Sequence, residues 1–395
     1  MIIKSLLDTD LYKFTMAQVV LHKYSETWVE YKFKCRNNLD IVEYIEEIKS
    51  EINQLCALKF TLDELNYLSS IPFLKKDFIE YLRMLKLNPS QVDVGMVEDG
   101  LYGKKELSIV IEGPWISTIW FEVPLLAIVS EVWGRHNNIV QTGMNKFSNK
   151  IKYLKNTLID PSYIGFKFAD FGTRRRYSYH WQREHIVPTL SAKFKDNFVG
   201  TSNVLIAKEL DLKPIGTMAH EFIMAHQQLT RLVDSQKAAL QAWSDEYRGE
   251  LGIALSDTVG IDAFLKDFDL YFAKLFDGAR HDSGDPFEWG YKWSKHLKDL
   301  GIDPKTKHGV FSDGLTFEKA LNLYETFGSV FETSFGIGTY LTNDMGMTPP
   351  NIVIKMTKCN GSPVAKISDS PGKQMCDNKA YLLNLREVYG LKEKE

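Results

Sequence analysis

From about residue 160 onward the chain repeats one rhythm: a short apolar run, a cluster of small or charged residues, then a helical pattern. The runs are GFKFADFGTRRR (165–176), FVGTSN (198–203), KPIGTMAHE (213–221), LGIALSDT (251–258), AKLFDGARHDSGD (273–285), HGVFSDGL (308–315) and GSVFETSFGIGT (328–339). Repeated strand–helix units imply a parallel sheet with helices outside it. An open doubly wound sheet gathers its functional groups at one switch point. A barrel gathers them at the C-terminal ends of its strands. Here polar residues end run after run, so the expected fold is α/β, an irregular (β/α) barrel over residues 141–344. One long helix is expected from His220 to about Tyr247. A second is framed by Asp285 as N-cap, Pro286 at the first helical position and Gly301 as stop. A third runs from Thr316 to about Phe327.

The first part of the chain follows other periods. In TWVEYKFKC (27–35), Val29, Tyr31, Phe33 and Cys35 alternate with Glu30, Lys32 and Lys34, the mark of a half-buried strand. Ile41, Ile45, Ile48, Ile52 and Leu55 then share one helical face. Thr61 and Glu64 stand at capping-box spacing. A mixed α+β domain over residues 1–140 is expected, completed by residues 345–395, whose segments NIVIKMTKC (351–359) and PVAKISD (363–369) read as strands.

Of 395 residues, 44% are apolar and the net charge is −3. A broad basic surface for nucleic acid is therefore not expected, and an anionic ligand must be met by a local cluster of cations. Cys35, Cys56, Cys359 and Cys376 show no zinc spacing and read as reduced thiols of a cytoplasmic protein. The first residues, MIIKSLLDTDLYKF, carry acids and lack the apolar core of a secretory signal. The apolar stretch Ile109–Trp133 is interrupted by Glu112, Pro114, Glu122, Pro124 and Glu131, so no membrane span is expected.

Several strand ends carry groups suited to chemistry. The run Arg174-Arg175-Arg176 follows Phe171-Gly172-Thr173; it is either a solvated charge cluster or a set of guanidinium forks for carboxylate or phosphate. Phe171 is either a core ring or a ring face offered to a ligand. Arg280, Asp282, Ser283, Gly284 and Asp285 suit a phosphorylated sugar, with arginine on phosphate and carboxylates on hydroxyls or magnesium; Asp285 also fits as a simple helix cap. Ser312-Asp313-Gly314 repeats the theme, and the backbone of Phe335-Gly336-Ile337-Gly338-Thr339 can cradle a phosphate. His220 sits at a strand-to-helix junction beside Glu221. A lone histidine is more often structural, but a neutral imidazole near a nucleotide γ-phosphate can act as a nucleophile. Tyr12 alone reads as an ordinary helix-start residue.

Taken in order, DTDLYKFTM (8–16), DFGTRRR (170–176), FVGTSN, GTMAHE (216–221), RHDSGDP (280–286), FSDGL (311–315) and SFGIGT (334–339) resemble the nicotinate phosphoribosyltransferases, in their shorter bacterial form. The resemblance spans most of the chain. It implies a type II phosphoribosyltransferase fold and an ATP-dependent, ligase-type enzyme of NAD salvage that uses magnesium. It implies that Phe171 stacks on the pyridine ring and Arg174 meets its carboxylate, with Thr173 close by. It implies Tyr12 on the other ring face, supplied across the interface of a homodimer. Ser202 stands where nicotinamide-using relatives carry an aspartate; a neutral residue there favours the acid as substrate. Arg175, Arg280, Asp282, Ser283, Gly284, Asp313, Gly314, Gly336, Gly338 and Thr339 would hold phosphoribosyl pyrophosphate; the resemblance fixes no magnesium ligand, for which Asp282 is the candidate among the strand-end acids. His220 would be the phosphorylated histidine, with Arg174, Arg280 and Asp282 as its catalytic companions.

The expected reaction joins nicotinate to the 5-phosphoribosyl group, releasing pyrophosphate, with ATP hydrolysed through phospho-His220. The alternatives are a nicotinamide phosphoribosyltransferase of the same fold, the more distant quinolinate phosphoribosyltransferase, and a catalytically silent nucleotide-binding barrel.

Overall fold

The computed structural model describes residues 1–37, 39–98, 105–137, 140–369 and 376–391. Packing divides the chain into two compact units: residues 1–164, 169–216 and 337–355 form one, and residues 165–168, 217–336 and 356–395 the other.

In the first unit, β1 (Trp28–Cys35) pairs antiparallel with β3 (Lys105–Pro114), which pairs antiparallel with β2 (Val92–Glu98). Tyr31 faces Ile111 and Val94 faces Ile109 across the ladders. Val29, Tyr31 and Phe33 are buried, as the alternation predicts, whereas Cys35 is half-buried and Glu30, expected on the other face, is buried as well. Ile45, Ile48, Ile52 and Leu55 bury one face of the helix Ile45–Cys56. Thr61 and Glu64 form the reciprocal capping box that opens the helix Leu62–Ser69. The apolar segment Trp115–Arg135 is long enough by length and composition to cross a membrane, but 89% of its most apolar window is buried inside the protein. β4 (Phe168–Asp170) and β5 (Phe198–Thr201) are short neighbouring strands.

The second unit carries the strand–helix repeats. β6 (Ile253–Leu255), β7 (Gly278–His281), β8 (His308–Phe311) and β9 (Glu332–Ile337) pair in parallel in that order. Gly278 has no room for a side chain: a Cβ there would lie 2.1 Å from the His308 carbonyl oxygen. Phe311 stacks on Phe335 at 5.7 Å and on Phe327 at 6.1 Å, so the helix Phe317–Phe327 is pinned to the sheet by aromatic burial. Asp285 caps the helix Pro286–Asp299 by accepting from the Glu288 N–H, and Thr316 caps the next by accepting from Lys319. The long helix expected after His220 is two helices, His220–Leu229 and Ser235–Tyr247. The break is at Thr230, whose backbone is extended (φ −150°, ψ −177°), and an Arg231–Asp234 pair holds the turn that follows.

The chain then forms β10 (Ile352–Cys359), a neighbour of β1; just before it, Arg36 N–H donates to the Asn351 carbonyl. The segment from Val364 onward, expected beside the N-terminal region, lies within the second unit instead. Ala365 exchanges two hydrogen bonds with the Gln227 side chain, and Ile367 N–H donates to Thr258 O. Leu382, Leu385 and Tyr389, on one face of the last helix, cluster with Val259 and Ala263. An apolar helical face must be covered, and that cluster covers it.

Candidate active site

Two groups of polar side chains stand out, one in each unit. In the first, the turn after β4 carries Phe171, Gly172, Thr173 and Arg174. Phe171 N–H donates to Ile337 O at 2.9 Å, which sets the Gly338-Thr339 turn against it. A Cβ on Gly338 would lie 3.2 Å from the Phe171 carbonyl oxygen. Arg174 is 45% exposed, and its guanidinium faces two carboxylates, Asp10 at 3.9 Å and Glu122 at 3.6 Å. The same guanidinium lies 5.9 Å from the ring centre of Tyr12. Lys13, fully buried, pairs with Glu122 at 2.6 Å. Ser202, at the end of β5, donates its hydroxyl to Asp10 at 2.7 Å. Burial raises the Asp10 carboxyl, outweighing the opposing pull of Arg174, Ser202 and Thr173. Ser202 itself carries no charge, yet an acid stands one hydrogen bond away.

The remaining arginines of the run differ from Arg174. Arg175 donates its Nε to the Ile352 carbonyl at 2.9 Å. Arg176 is wholly buried and makes a two-pronged pair with Asp8 at 2.6 and 2.7 Å. The sequence suggested three exposed arginines; the third is a structural ion pair of the interior.

In the second unit, the ends of β6, β7 and β8 meet the start of the helix His220–Leu229. His220 Nε2 lies 2.9 Å from Asp257 Oδ1 and 3.7 Å from Asp282 Oδ2. The other Asp257 oxygen accepts from Lys366 at 2.6 Å and from the Ser283 hydroxyl. Burial alone would raise Asp257, but Lys366 and then His220 draw it well below the ordinary carboxylate range. Burial and the Lys366 cation together lower the His220 pKa, despite the opposing pull of Asp257. Burial also opposes ionisation of Asp282, and Arg280 and His220 overcome it, so its pKa is lowered. Asp282 Oδ1 accepts from Ser312 Oγ at 2.9 Å. Arg280 gives one Nη to the Met218 carbonyl at 3.1 Å, while its buried Nε has no hydrogen-bond partner among the described residues. Gly284 holds a left-handed φ of +84°, and a Cβ there would lie 2.8 Å from Asp369 Cβ. Asp313 and Gly314 follow β8 on the same side, with Gly314 exposed. Asp285 is an exposed helix cap.

Within the first unit the structure thus gathers Tyr12, Phe171, Thr173, Arg174, Ser202, Gly338 and Thr339. Within the second it gathers His220, Arg280, Asp282 and Ser283, with Asp313, Gly314 and Gly336 at neighbouring strand ends. The sequence reading missed Asp257 and Lys366. Asp257 follows β6 in SDT, an acid within two residues of the strand end as Asp282 and Asp313 are after theirs, so the repeat itself marked it. Lys366 lies 109 residues further on; its one signal is a lysine set among Val364, Ala365 and Ile367.

The profile of the nicotinate phosphoribosyltransferase (NAPRTase) family matches residues 166–393, and that of its N-terminal domain matches residues 7–130. The chain is 53% identical over 394 residues to a nicotinate phosphoribosyltransferase of Xylella fastidiosa, covering 99% of this chain and 98% of that one. It superposes on the crystal structure of the Vibrio cholerae nicotinate phosphoribosyltransferase with a TM-score of 0.95 at 41% identity, covering 100% and 95% of the two chains. On the Porphyromonas gingivalis nicotinate phosphoribosyltransferase the TM-score is 0.90 at 31% identity, with 99% and 100% covered. The α/β fold is accordingly of the type II phosphoribosyltransferase kind, and the chain belongs to the nicotinate phosphoribosyltransferase family.

Proposed function

We propose that this enzyme couples transfer of the 5-phosphoribosyl group from phosphoribosyl pyrophosphate to nicotinate with hydrolysis of ATP through a phosphohistidine at His220. The observation that carries the coupling is the hydrogen bond from His220 Nε2 to Asp257. Asp257, held ionised by Lys366, can only accept, so Nε2 carries the proton and Nδ1 keeps its lone pair. The lowered pKa keeps the ring neutral near pH 7, as a nucleophile must be. Nδ1 attacks the γ-phosphorus, the bond to the bridging oxygen breaks, and ADP leaves with that electron pair. The positive charge that develops on the ring stays beside the Asp257 carboxylate.

Glycosyl transfer itself is a matter of positioning and charge neutralisation. Phe171 and Tyr12 would flank the pyridine ring, and Arg174 would exchange its contacts with Asp10 and Glu122 for the nicotinate carboxylate. Arg280, with a buried donor to spare, suits a phosphate of phosphoribosyl pyrophosphate, as do the Gly314 and Gly336 backbones; Asp313 and Ser283 suit the ribose. As pyrophosphate departs, the ribose C1 gains oxocarbenium character and the pyridine nitrogen attacks from the opposite face. Phosphorylated and free His220 states would bind substrates with different affinity, which links hydrolysis to release.

Among the described residues, His220, Asp257 and Asp282 bring ligand atoms within 4.8 Å of one another, and of these Asp282 suits magnesium best. Asp282 offers a hard oxygen with a single modest partner on each side, whereas Asp257 is saturated by His220, Lys366 and Ser283. Held by Asp282 and the substrate phosphates, the ion would offset the charge of the departing pyrophosphate. The resemblance implies a homodimer with Tyr12 crossing the interface. Within one chain the Tyr12 ring centre lies 5.9 Å from the Arg174 guanidinium, so the two residues share one face, which a ring lent across a dimer interface would also reach. The reduced thiols accord with a cytoplasmic enzyme.

The test is to incubate the protein with ATP labelled in the γ-phosphate. An acid-labile, base-stable label on the His220 peptide is expected; label that persists in His220→Ala would overturn the assignment.

A further inference from the structure

Asp170 is a wholly buried carboxylate between the two loops that carry the candidate pyridine-binding residues. Its Oδ1 accepts from Gly172 N–H at 3.0 Å, inside the Phe171–Arg174 turn. Its Oδ2 accepts from Thr201 Oγ at 2.7 Å, one residue before Ser202, and from Gln182 Nε2 at 2.7 Å. Its main-chain carbonyl accepts from Ser202 N–H at 2.8 Å. All four donors are neutral. Burial pushes the carboxyl up to about 6, so an ionised group at this place is held against a desolvation penalty by those donors. A second peg lies beside it: Asn203 N–H donates to Thr201 Oγ at 3.2 Å, and Asn203 Nδ2 reaches Thr173 Oγ at 3.4 Å and Asp8 at 2.8 Å.

We infer that Asp170 is a positioning residue for nicotinate: one carboxylate sets the spacing of Phe171 and Arg174 relative to Ser202. The inference rests on the reading that those three residues hold the pyridine ring. Asp170 is shielded from substrate and acts only through the two loops. A local core role alone would affect stability and every substrate alike. A positioning role affects nicotinate selectively, because phosphoryl transfer to His220 draws on other residues.

The variants Asp170→Asn and Thr201→Val test this. In Asp170→Asn the new amide places a donor against donors. Gln182 can relieve one clash by reversing, since its Oε1 is buried without a hydrogen-bond partner among the described residues. The variant should therefore fold while the loops shift. Thr201→Val removes one donor at nearly constant shape, which keeps the test open if the asparagine variant is unstable. The measurement is KM for nicotinate and for ATP, kcat, and labelling of His220 by ATP, with Phe171→Ala as control. The expected result is a rise of about tenfold in nicotinate KM, since small misplacements of positioning groups are costly. KM for ATP and the labelling should stay within about twofold. Nicotinate KM near the wild-type value in both variants, or a parallel change in both substrates, overturns the inference. If Phe171→Ala also leaves nicotinate KM unchanged, the pyridine-site reading itself fails; if Phe171→Ala alone raises it, only the role of Asp170 fails.

Discussion

Lys366 and His220 share the carboxylate of Asp257: the lysine ammonium takes one oxygen at 2.6 Å and the imidazole Nε2 the other at 2.9 Å. The cation keeps Asp257 ionised, and the ionised acid fixes which ring nitrogen is protonated. A residue of the C-terminal tail thereby sets the chemical state of a residue at the start of a helix far earlier in the chain.

The pH dependence follows from that arrangement. His220 is lowered from 6.5 by burial and by Lys366. Phosphorylation needs the neutral ring, so the rate of labelling by ATP should be flat through neutral pH and fall only below 6.5. Lys366→Met removes one lowering influence, so the acid limb should move to higher pH. An unmoved limb, or one displaced to lower pH, would contradict the proposed coupling.

Asp8 and Arg176 form a buried ion pair. Arg176→Met leaves Asp8 charged in the interior, with Asn203 as a neutral donor to one of its oxygens. A loss of about 3–5 kcal/mol is expected, since breaking a buried pair leaves an uncompensated charge. Denaturant melts followed by fluorescence read this directly; a loss below about 1 kcal/mol would place the pair among weakly coupled surface ions.

Ser202→Asp sets a second carboxylate within hydrogen-bonding reach of Asp10, where Ser202 now donates at 2.7 Å. Two acids so close cannot both ionise cheaply, and either charge would oppose a carboxylated ring. Nicotinate KM should rise by about tenfold or more. The same assay with nicotinamide shows whether substrate preference has shifted; unchanged nicotinate kinetics would remove Ser202 from the specificity argument.

Mixing Tyr12→Ala with Arg174→Ala protein distinguishes a same-chain ring from one lent by a partner. With Tyr12 lent across a homodimer interface to the chain that supplies Arg174, the mixture should regain turnover that each separate variant lacks. A mixture as inactive as the separate variants would show that both residues act within one chain.

Much of this arrangement was legible in the residues themselves. Local signals read well: Thr61 and Glu64 form their capping box, Asp285 caps its helix, and β1 buries Val29, Tyr31 and Phe33 of the four residues its pattern marks. Such features depend on neighbours a few positions apart. What failed depended on distant partners. The His220–Tyr247 periodicity continues through Thr230, and only the fold shows the break. Arg174, Arg175 and Arg176 are equivalent as letters, yet Asp8, remote in sequence, takes Arg176 into the core. Lys366 was invisible because a buried lysine is readable only with its acid, and Asp257 lies more than a hundred residues away.

The most direct test of the account is a single reaction holding nicotinate, phosphoribosyl pyrophosphate, magnesium and ATP, in which mononucleotide and ADP are counted together. Wild-type protein should form both in linked amounts. His220→Ala should keep a slow, ATP-independent formation of mononucleotide and make no ADP. ADP formation that survives in that variant, or mononucleotide formation still stimulated by ATP, would contradict the role assigned to His220.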